Sequence, residues 1–252
     1  MARAEVLGRL TWRVGTVVTL HDETPTARTI EFDVPEWPGH LAGQHVDVRL
    51  TADDGYSAVR SYSIASAPNS EHRIELTVER LPDGEVSPYL TQVVATGARL
   101  ELRGPIGGWF VWRSEQKEPV QLIAGGSGVV PLMAMIRARA HSGSSAAFRL
   151  LYSVREPGAV LYANELRAFG GGDGVRIDYA YTRVAPAGSP RLPHRIDGAL
   201  IEQATWPASV SPTCYVCGPT PFVEAAANLL TAAGHQPDTI RTERFGPTGE
   251  HQ

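Results

Sequence analysis

The sequence lacks the features that mark membrane, nucleic-acid-binding and disulfide-stabilised proteins. None of its apolar runs reaches the ~20 residues that a transmembrane helix needs. Its first residues, MARAEVLGRLTWRV, contain no apolar segment of the kind found in signal peptides. Two cysteines are too few for a disulfide framework, and a net charge of -4 gives no sign of a general basic surface. These absences favour a cytoplasmic monomer that binds neither nucleic acid nor membranes.

The first half of the chain alternates apolar and polar residues with a period of two. In the segment TIEFDV, for example, Ile30, Phe32 and Val34 fall on one face. Segments of this kind, separated by Gly, Pro and Asp turns, cover residues 12–20, 29–34, 45–50, 59–65, 73–81 and 99–104. Such a series of short strands predicts an antiparallel barrel or sandwich, with a helical insertion near residues 87–97.

The second half follows a different pattern, in which continuous apolar strands alternate with helix-length segments. The strands are expected at 120–125, 148–154, 175–181, 213–217 and 239–245, and the helices at 131–141, 160–169, 196–205 and 219–233. Strands that are apolar on both faces and alternate with helices predict a parallel α/β sheet. The charged segment 113–119 is predicted to be a linker, which divides the chain into domains at 1–112 and 120–252.

Polar residues interrupt one predicted strand of the first half. The segment RSYSIASAP begins with Arg60, Ser61, Tyr62 and Ser63. If these side chains are buried, they need hydrogen-bond partners. Either this strand is half exposed, or its polar side chains face a bound group, and the segment alone leaves both interpretations open.

A glycine-rich turn follows the first strand of the second half. In LIAGGSGVVPLMAMI, Gly125, Gly126 and Gly128 lack the Cβ atoms that would keep a ligand away from the backbone. Pro131 suits the first turn of a helix. The free N–H groups and the helix dipole then converge on one point, which predicts a pyrophosphate site. Pro131 stands where the dinucleotide-binding fingerprint G-x-G-x-x-G has its third glycine.

The two cysteines lie in a second strand-to-helix turn, CYVCGPTPF. A C-x-x-C spacing is compatible with a redox disulfide or a zinc site. In a strand, however, Cys214 and Cys217 point to opposite faces, and the sequence offers no nearby second pair of zinc ligands. We expect Cys214 to be buried in the core. Cys217 should lie at the carboxyl end of its strand, where sheets of this type bind ligands.

Together these motifs resemble those of the ferredoxin–NADP reductase-like flavoproteins, in the same order and over nearly the whole chain. The flavin motif R-x-Y-S corresponds to Arg60, Tyr62 and Ser63, and the flavin-contacting strand corresponds to LTVERL. The remaining motifs are the G-x-x-S phosphate loop at Gly84 and Ser87, the nucleotide turn at Gly126, Ser127, Gly128 and Pro131, the C-G-P motif at Cys217, Gly218 and Pro219, and the terminal carboxylate and aromatic at Glu243 and Phe245.

The resemblance implies a six-stranded antiparallel β-barrel that binds FAD, with FMN as an alternative, followed by a five-stranded doubly wound sheet that binds NAD(P)H. Arg60 would hold the flavin pyrophosphate, Tyr62 would pack against the flavin ring, and Ser63 would bond near the flavin nitrogen that receives hydride. Further cofactor contacts are expected from Ser61, Thr77, Val78, Glu79, Gly84, Val86, Ser87, Gly126, Ser127, Gly128, Pro131, Cys217, Gly218 and Pro219.

The same resemblance defines the reacting centre. Ser63, Cys217 and Glu243 would surround the nicotinamide–flavin contact as catalytic residues. Cys217 would act there as a positioning group, since hydride transfer needs no covalent intermediate. Phe245 would stack on the flavin ring and yield to nicotinamide.

A preference for NADPH over NADH is expected from the residues that follow the second and third parallel strands. An NAD-selective site commonly places Asp or Glu roughly 20 residues after the glycine turn, whereas here Glu156 comes behind Ser153 and Arg155. A Thr-Arg pair resembles the family's Ser-Arg pair, and guanidinium groups match a 2′-phosphate. The residues expected at this site are Ser153, Arg155, Thr182, Arg183 and Arg195, with Arg191 as a substitute for the last.

We therefore expect an FAD-dependent NAD(P)H reductase that passes single electrons to a separate protein, either a ferredoxin or an oxygenase component. The sequence has no cysteine cluster for an iron–sulfur domain. A free-flavin reductase and a flavin-binding electron-transfer subunit of a larger complex are the alternatives. In contrast to most family members, the segment GPTGEHQ follows Phe245. Similar tails occur in oxygenase-type reductases, and this one would cover the flavin or bind adenine.

Overall fold

Two sheets form the framework of the protein, and one helix is buried between them. A computed structural model describes residues 10–52, 54–69, 71–171 and 174–246. The first sheet contains β1 (Trp12–Thr24), β2 (Ala27–Asp33), β3 (His45–Thr51), β4 (Ser57–Ser63), β5 (Arg73–Glu79) and β6 (Arg99–Ile106). The rest contains β7 (Val120–Gly125), α1 (Val129–Ser142), β8 (Phe148–Val154), α2 (Ala163–Gly170), β9 (Val175–Tyr181), α3 (Gly198–Ala204), β10 (Thr213–Pro219), α4 (Thr220–Ala232) and β11 (Ile240–Phe245). None of the helices in the described ranges combines the length and the hydropathy that a membrane crossing requires.

The first sheet closes into an antiparallel barrel. Its strands run in the order β4-β3-β6-β1-β2-β5. The two ends of this order meet through a bridge between Ile64 and Leu76 and through a 2.7 Å hydrogen bond from the Ala65 N–H to the Glu75 carbonyl. Alternating apolar side chains such as Ile30 are fully buried inside. The structure therefore confirms the expected barrel and excludes an open sandwich.

The second sheet is parallel, with the strand order β11-β10-β7-β8-β9. Helices α1 and α2 pack on one face, and α3 and α4 pack on the other. The strand β7 is buried along its whole length, as its continuous apolar sequence predicts. The order reverses between β7 and β10, and ligands bind outside the carboxyl ends of the strands at such a point. The doubly wound five-stranded sheet is confirmed.

Several elements begin or end away from the predicted residues. The strand β1 is longer than predicted because it pairs with β2 as far as the turn between them. The helix predicted at 160–169 begins only at Ala163, since Tyr162 before it has a left-handed backbone with a φ of 56°. The helical insertion predicted near 87–97 is a single π-helical turn, Tyr89–Val93.

Helix α1 joins the barrel to the second sheet. Every residue from Val129 to Ile136 is buried, whereas a surface helix of a globular protein buries only one stripe. Ala42, Ala65 and Trp112 from the barrel side belong to the same apolar cluster as α1 and the second sheet. The two halves of the chain thus meet in this apolar cluster, while the interior of the barrel forms a separate one.

An ion-pair network joins α1 to both halves of the molecule, and we call it the Arg137 clamp (Arg137, Ala65, Glu75, Glu165 and Tyr162). The Arg137 guanidinium donates to the Ala65 carbonyl (2.9 Å) and to Glu75 (2.8 Å) of the barrel, and to both oxygens of Glu165 in α2 (2.8 and 2.6 Å). It also lies 5.0 Å from the centre of the Tyr162 ring. Burial opposes the charge, but Glu165 and Glu75 raise the pKa of Arg137 above its ordinary value, so the guanidinium stays charged.

Replacing Arg137 with methionine should destabilise the protein, because Glu75 and Glu165 lose their shared cation. These carboxylates are about one-third exposed. We therefore expect a loss of about 2 kcal/mol in the free energy of unfolding, less than the roughly 3–5 kcal/mol of a fully buried pair. Urea unfolding measures the loss. As a control, Arg176→Met removes a surface pair with Asp178 and should cost less than about 1 kcal/mol. Equal losses in the two variants would contradict the prediction.

Candidate functional site

Side chains predicted to be catalytic come together where the barrel meets the carboxyl edge of the second sheet. Cys217 and Glu243 are paired residues of β10 and β11. Ser63 is paired with His45 across β3 and β4, and Nδ1 of His45 lies 3.9 Å from Oε1 of Glu243. His45 therefore links the barrel to the second sheet. The sequence did not indicate a role for His45, because a histidine in an alternating strand belongs to no motif. Its position beside Ser63 follows only from strand pairing.

Burial governs the protonation of this cluster. It raises the pKa of Glu243 to about 7, so the protonated carboxyl is far more accessible here than in an ordinary glutamate. Burial, with a further contribution from Glu243, raises the pKa of the Cys217 thiol well above its usual value. Burial lowers the pKa of His45, and Asp47 acts in the opposite sense. Because a neutral thiol is a poor nucleophile, the cluster suits holding and orienting a ligand better than covalent attack.

The polar side chains of β4 divide between its two faces. Arg60 is exposed, and its Nη2 lies 3.2 Å from Oε2 of Glu85 in the loop after β5. Tyr62 packs against the barrel core, where burial raises its pKa to about 12 while Arg60 acts in the opposite sense. Ser61 points to the other face and donates to Asp47 at 2.7 Å. The Ser61 residue is nevertheless exposed, and its cofactor contact stays a prediction.

The loop after β5 leaves backbone donors free. A Cβ on Gly84 would lie 3.0 Å from Oγ of Ser87, which itself accepts a 3.0 Å hydrogen bond from the backbone at the start of the loop. The buried Val86 side chain anchors the loop to the barrel core. Within the described part of the chain, the N–H groups of Glu85, Val86 and Ser87 make no hydrogen bond, as is usual before a helical turn. Together with the Arg60 guanidinium, these amides form a donor set that fits a pyrophosphate.

Two residues of β5 that were predicted to contact a cofactor are used inside the protein. The Val78 side chain is fully buried in the barrel. The Thr77 hydroxyl is bonded to Thr29 (2.7 Å) and accepts from the Tyr162 hydroxyl, so it joins the barrel to the second half. Both side chains are buried, so a cofactor contact at these residues would have to come from the backbone, and it stays a prediction. Glu79, at the end of the strand, is exposed.

The glycines after β7 serve two different purposes. Gly126 has a φ of 55°, in the left-handed region that favours glycine. A Cβ on Gly128 would overlap the Cys217 carbonyl, and one on Gly125 would lie 2.6 Å from the Phe222 ring. The missing Cβ of Gly128 lets the turn before α1 pack against the end of β10, and the missing Cβ of Gly125 leaves room for Phe222 of α4. Close approach of a ligand to these glycines stays a prediction.

Exposed arginines lie near the carboxyl ends of β8 and β9. The Arg183 N–H donates to the Arg155 carbonyl at 2.9 Å, so these two residues are neighbours although they belong to different loops. Arg155, Arg183 and Arg195 are exposed, and none of them forms an ion pair with another described residue. Arg191 is paired with Asp197 at 2.6 Å. Its role as a substitute for Arg195 stays a prediction, and it would require exchange of the Asp197 carboxylate for a phosphate.

The other residues predicted to contact cofactors lie at or near the same edge. Ser153 is buried at the end of β8, and the Thr182 N–H donates to the Val154 carbonyl (2.8 Å). Phe245 ends β11 and is 38% exposed. Ser127 is partly exposed in the glycine turn, Pro131 is buried in the first turn of α1, and Gly218 and Pro219 follow Cys217 in β10. The predicted tail at 247–252 lies outside the described residues.

The two cysteines lie on opposite faces of the second sheet, as predicted. Cys214 belongs to the apolar cluster that contains α3 and α4, and Cys217 belongs to the cluster that contains α1. Both are buried free thiols, and side chains that point apart cannot form a disulfide with each other. The prediction of a core position for Cys214 is confirmed.

Family models match both halves of the chain. Residues 15–111, which contain most of the barrel, match the model of an oxidoreductase FAD-binding domain. Residues 122–228, which contain most of the parallel sheet, match the model of an oxidoreductase NAD-binding domain. The order of the two matches agrees with the order of the two sheets along the chain.

Known proteins resemble most of this chain. The glycine betaine monooxygenase reductase subunit of Chromohalobacter salexigens is 30% identical over 236 residues, which cover 92% of this chain and 63% of the relative. The NADH oxidoreductase HCR of Escherichia coli is 32% identical over 227 residues, which cover 88% and 65%. The Amycolatopsis cytochrome P450 reductase GcoB superposes with a TM-score of 0.83 at 25% identity, over 97% of this chain and 73% of that chain. This chain thus spans less than two thirds of the length of these two curated relatives.

Gly128→Ala should destabilise the protein, and the matched change Gly198→Ala should not. The methyl group at 128 would overlap a backbone carbonyl, so we expect a loss of about 1–3 kcal/mol in the free energy of unfolding. A Cβ on Gly198, at the start of α3, meets nothing within 4 Å, so alanine there should be neutral or slightly stabilising. Urea unfolding of both variants checks the difference, and equal stabilities would refute the packing role of Gly128.

Proposed function

Because this chain belongs to the ferredoxin–NADP reductase-like family of flavoproteins, we propose that it moves hydride from NADPH to bound FAD and then passes single electrons to a separate redox protein. The observation that carries the proposal is the approach of the two sheets at the carboxyl edge. Nδ1 of His45, which pairs with Ser63, lies 3.9 Å from Oε1 of Glu243, which pairs with Cys217. FAD supplies the chemistry when bound, since it accepts two electrons together and releases them one at a time. In this proposal, residues 1–112 form the FAD domain, residues 120–252 form the NAD(P) domain, and residues 113–119 form the linker between them.

On the barrel, Arg60 and the loop after β5 hold the flavin pyrophosphate. Arg60 is now paired with Glu85, and both side chains are about half exposed, so the pair contributes little stability. Exchanging this carboxylate for a pyrophosphate therefore costs little, and the free N–H groups of Glu85, Val86 and Ser87 add donors. A firm hold on the phosphates favours a resident cofactor over a flavin that is released as a product.

At the other end of β4, Ser63, Cys217 and Glu243 orient the nicotinamide against the flavin. Small errors of position at such a contact are costly for the rate. The Cys217 thiol stays neutral, so it acts by contact and not as a nucleophile. A Glu243 carboxyl with a pKa of about 7 offers both a donor and an acceptor to a carboxamide at neutral pH. Phe245 covers the flavin ring until the nicotinamide enters.

Exposed arginines favour NADPH over NADH. Arg155 and Arg183 lie side by side without acidic partners among the described residues, and Arg195 follows in the next loop. Guanidinium groups of this kind match a 2′-phosphate. Glu156, directly after Arg155, opposes this preference, and the E. coli relative is named an NADH oxidoreductase. The proposal is therefore a preference and not an exclusive use of NADPH.

The electron acceptor is proposed to be an oxygenase component or a small ferredoxin. The C. salexigens relative is named a monooxygenase reductase subunit, and the Amycolatopsis structure is that of a cytochrome P450 reductase. These names support a class of partner and do not identify one, because this chain spans only part of the relatives. A cytoplasmic location and a monomeric state belong to the same proposal.

The visible spectrum of the purified protein, followed by an anaerobic titration with NADPH, tests this function. We expect a yellow protein with one FAD per chain that NADPH bleaches. A colourless protein that reduces added flavin would support a free-flavin reductase instead. A yellow protein that NADPH does not bleach would support a flavin-binding electron-transfer subunit of a larger complex.

Arg60→Ala should weaken FAD binding without unfolding the protein. Charge-assisted hydrogen bonds contribute about 1.5–3 kcal/mol, so we expect a roughly ten- to hundredfold increase in the Kd for FAD. Fluorescence titration of the apoprotein measures it. The control Arg73→Ala removes an exposed arginine that pairs with Glu31 on the barrel and should leave the Kd unchanged. Full flavin occupancy of Arg60→Ala after dialysis would rule out the role of Arg60.

Arg183→Ala should lower kcat/KM for NADPH and leave kcat/KM for NADH nearly unchanged. The 2′-phosphate is the group that distinguishes the two nucleotides, and one lost charge-assisted contact corresponds to roughly a tenfold effect. Steady-state kinetics with both nucleotides measure the difference. Arg99→Ala removes an equal charge from an exposed site at the start of β6 and serves as the control. Equal losses with both nucleotides, or a wild type that prefers NADH, would overturn the assignment.

A further inference from the structure

His45 faces Glu243 across the boundary between the barrel and the second sheet. Nδ1 of His45 in β3 and Oε1 of Glu243 in β11 are 3.9 Å apart. This separation is too long for a hydrogen bond, but a charge at this distance alters the protonation of its neighbour. The two side chains are only 27% and 26% exposed, so water screens their interaction incompletely.

The barrel holds His45 and leaves it free to interact with Glu243. The ring lies beside Gly107, whose hypothetical Cβ would be 3.7 Å from Nδ1. Asp47, two residues along β3, also acts electrostatically on His45. The Asp47 carboxylate is already engaged by Arg103 (2.6 Å) and by Ser61 (2.7 Å). Of these two carboxyl groups, Glu243 is therefore the one open to exchange a proton with His45.

Among the described residues, Glu243 forms an ion pair with no side chain except His45. On the same strand, Arg241 donates to backbone carbonyls and a tyrosine hydroxyl at the barrel edge, and Arg244 donates to a threonine. The adjacent strand β10 presents the neutral Cys217 thiol. The carboxylate of α4, Glu224, is exposed to solvent. Among these titratable and charged side chains, His45 is therefore the one that faces the Glu243 carboxyl at ion-pair distance.

We propose that His45 is a positioning residue for Glu243 and sets the protonation state of its carboxyl at the nicotinamide–flavin contact, an inference that rests on the proposed function. The pair holds one proton, which sits either on the carboxyl of the second sheet or on Nδ1 of the barrel histidine. Movement of this proton within the pair leaves the net charge unchanged. Where water is largely excluded, this proton transfer costs less free energy than the ionisation of one of the two groups alone.

A positive charge on His45 would lower the pKa of Glu243. An imidazolium 3.9 Å from the carboxylate stabilises the ionised form. His45→Phe keeps a ring but cannot be protonated, so the titration midpoint of Glu243 should move to higher pH by about one pH unit. His45→Asn places an amide near the position of Nδ1 and should restore part of the shift. By reciprocity, Glu243→Gln should move the titration midpoint of His45 to lower pH.

The experiment measures both members of the pair in the flavin-loaded protein. Carbon-13 NMR of protein labelled at the glutamate carboxyls gives the midpoint of Glu243, assigned by the loss of its signal in Glu243→Gln. Proton NMR gives the midpoint of His45, assigned with His45→Asn. His21→Phe changes an exposed histidine of β1 and serves as the matched control. The rate of anaerobic reduction by NADPH is recorded for the same proteins as a function of pH.

The inference is supported if the titration midpoint of Glu243 rises in His45→Phe, returns part of the way in His45→Asn and stays unchanged in His21→Phe. An unchanged Glu243 midpoint in His45→Phe overturns it, and so does a shifted midpoint that leaves the pH profile of reduction unaltered. If His45→Phe does not fold, the His45 midpoint in Glu243→Gln decides: a fall supports the pair and no change overturns it. The NMR midpoints need no turnover, so a protein that NADPH cannot reduce would refute the proposed function separately.

Discussion

The burial of helix α1 between the barrel and the parallel sheet is the constraint on which the rest of the structure depends. The segment 129–136 of this helix is buried throughout, in an apolar cluster that contains residues of both halves of the chain. The Arg137 clamp supplies the charged contacts at the C-terminal half of the helix. Tyr162, in turn, reaches Thr77 of the barrel. Because packed cores tolerate little sliding, this junction fixes the distance between residues of the barrel, such as His45, and residues of the second sheet, such as Glu243.

The structure divides the polar residues of the motifs into two groups. The buried Thr77 hydroxyl bonds to Tyr162, and the Ser61 hydroxyl bonds to Asp47 of the neighbouring strand, so both have partners within the protein and help to hold the junction and the sheet. In contrast, Arg60, the amides of the loop after β5 and the arginines near β8 and β9 either have exposed partners or lack partners among the described residues. Groups of the second kind are free to exchange their partners for a ligand, which is why the candidate cofactor contacts concentrate there.

Burial at the junction shifts the pKa values of the side chains in the candidate site. Burial keeps the Cys217 thiol neutral and brings the pKa of Glu243 to about 7. A carboxyl whose pKa lies near neutral pH changes its protonation when a nearby charge changes, whereas an ordinary surface glutamate stays ionised at this pH. Burial also lowers the pKa of His45, so the same environment disfavours the charged form of both side chains.

The sequence by itself determined the two kinds of sheet, their order and the main motifs, because period-two alternation, continuous apolar strands and glycine turns are local patterns. It also placed Cys217 at the carboxyl end of a strand, and the family resemblance assigned Ser63 and Glu243 to the same site. Only the tertiary structure decided that Gly128 packs on the Cys217 carbonyl, that the Val78 side chain points into the barrel core and that His45 faces Glu243. These outcomes depend on contacts and burial set by residues far apart in the chain, and local spacing contains no information about such contacts.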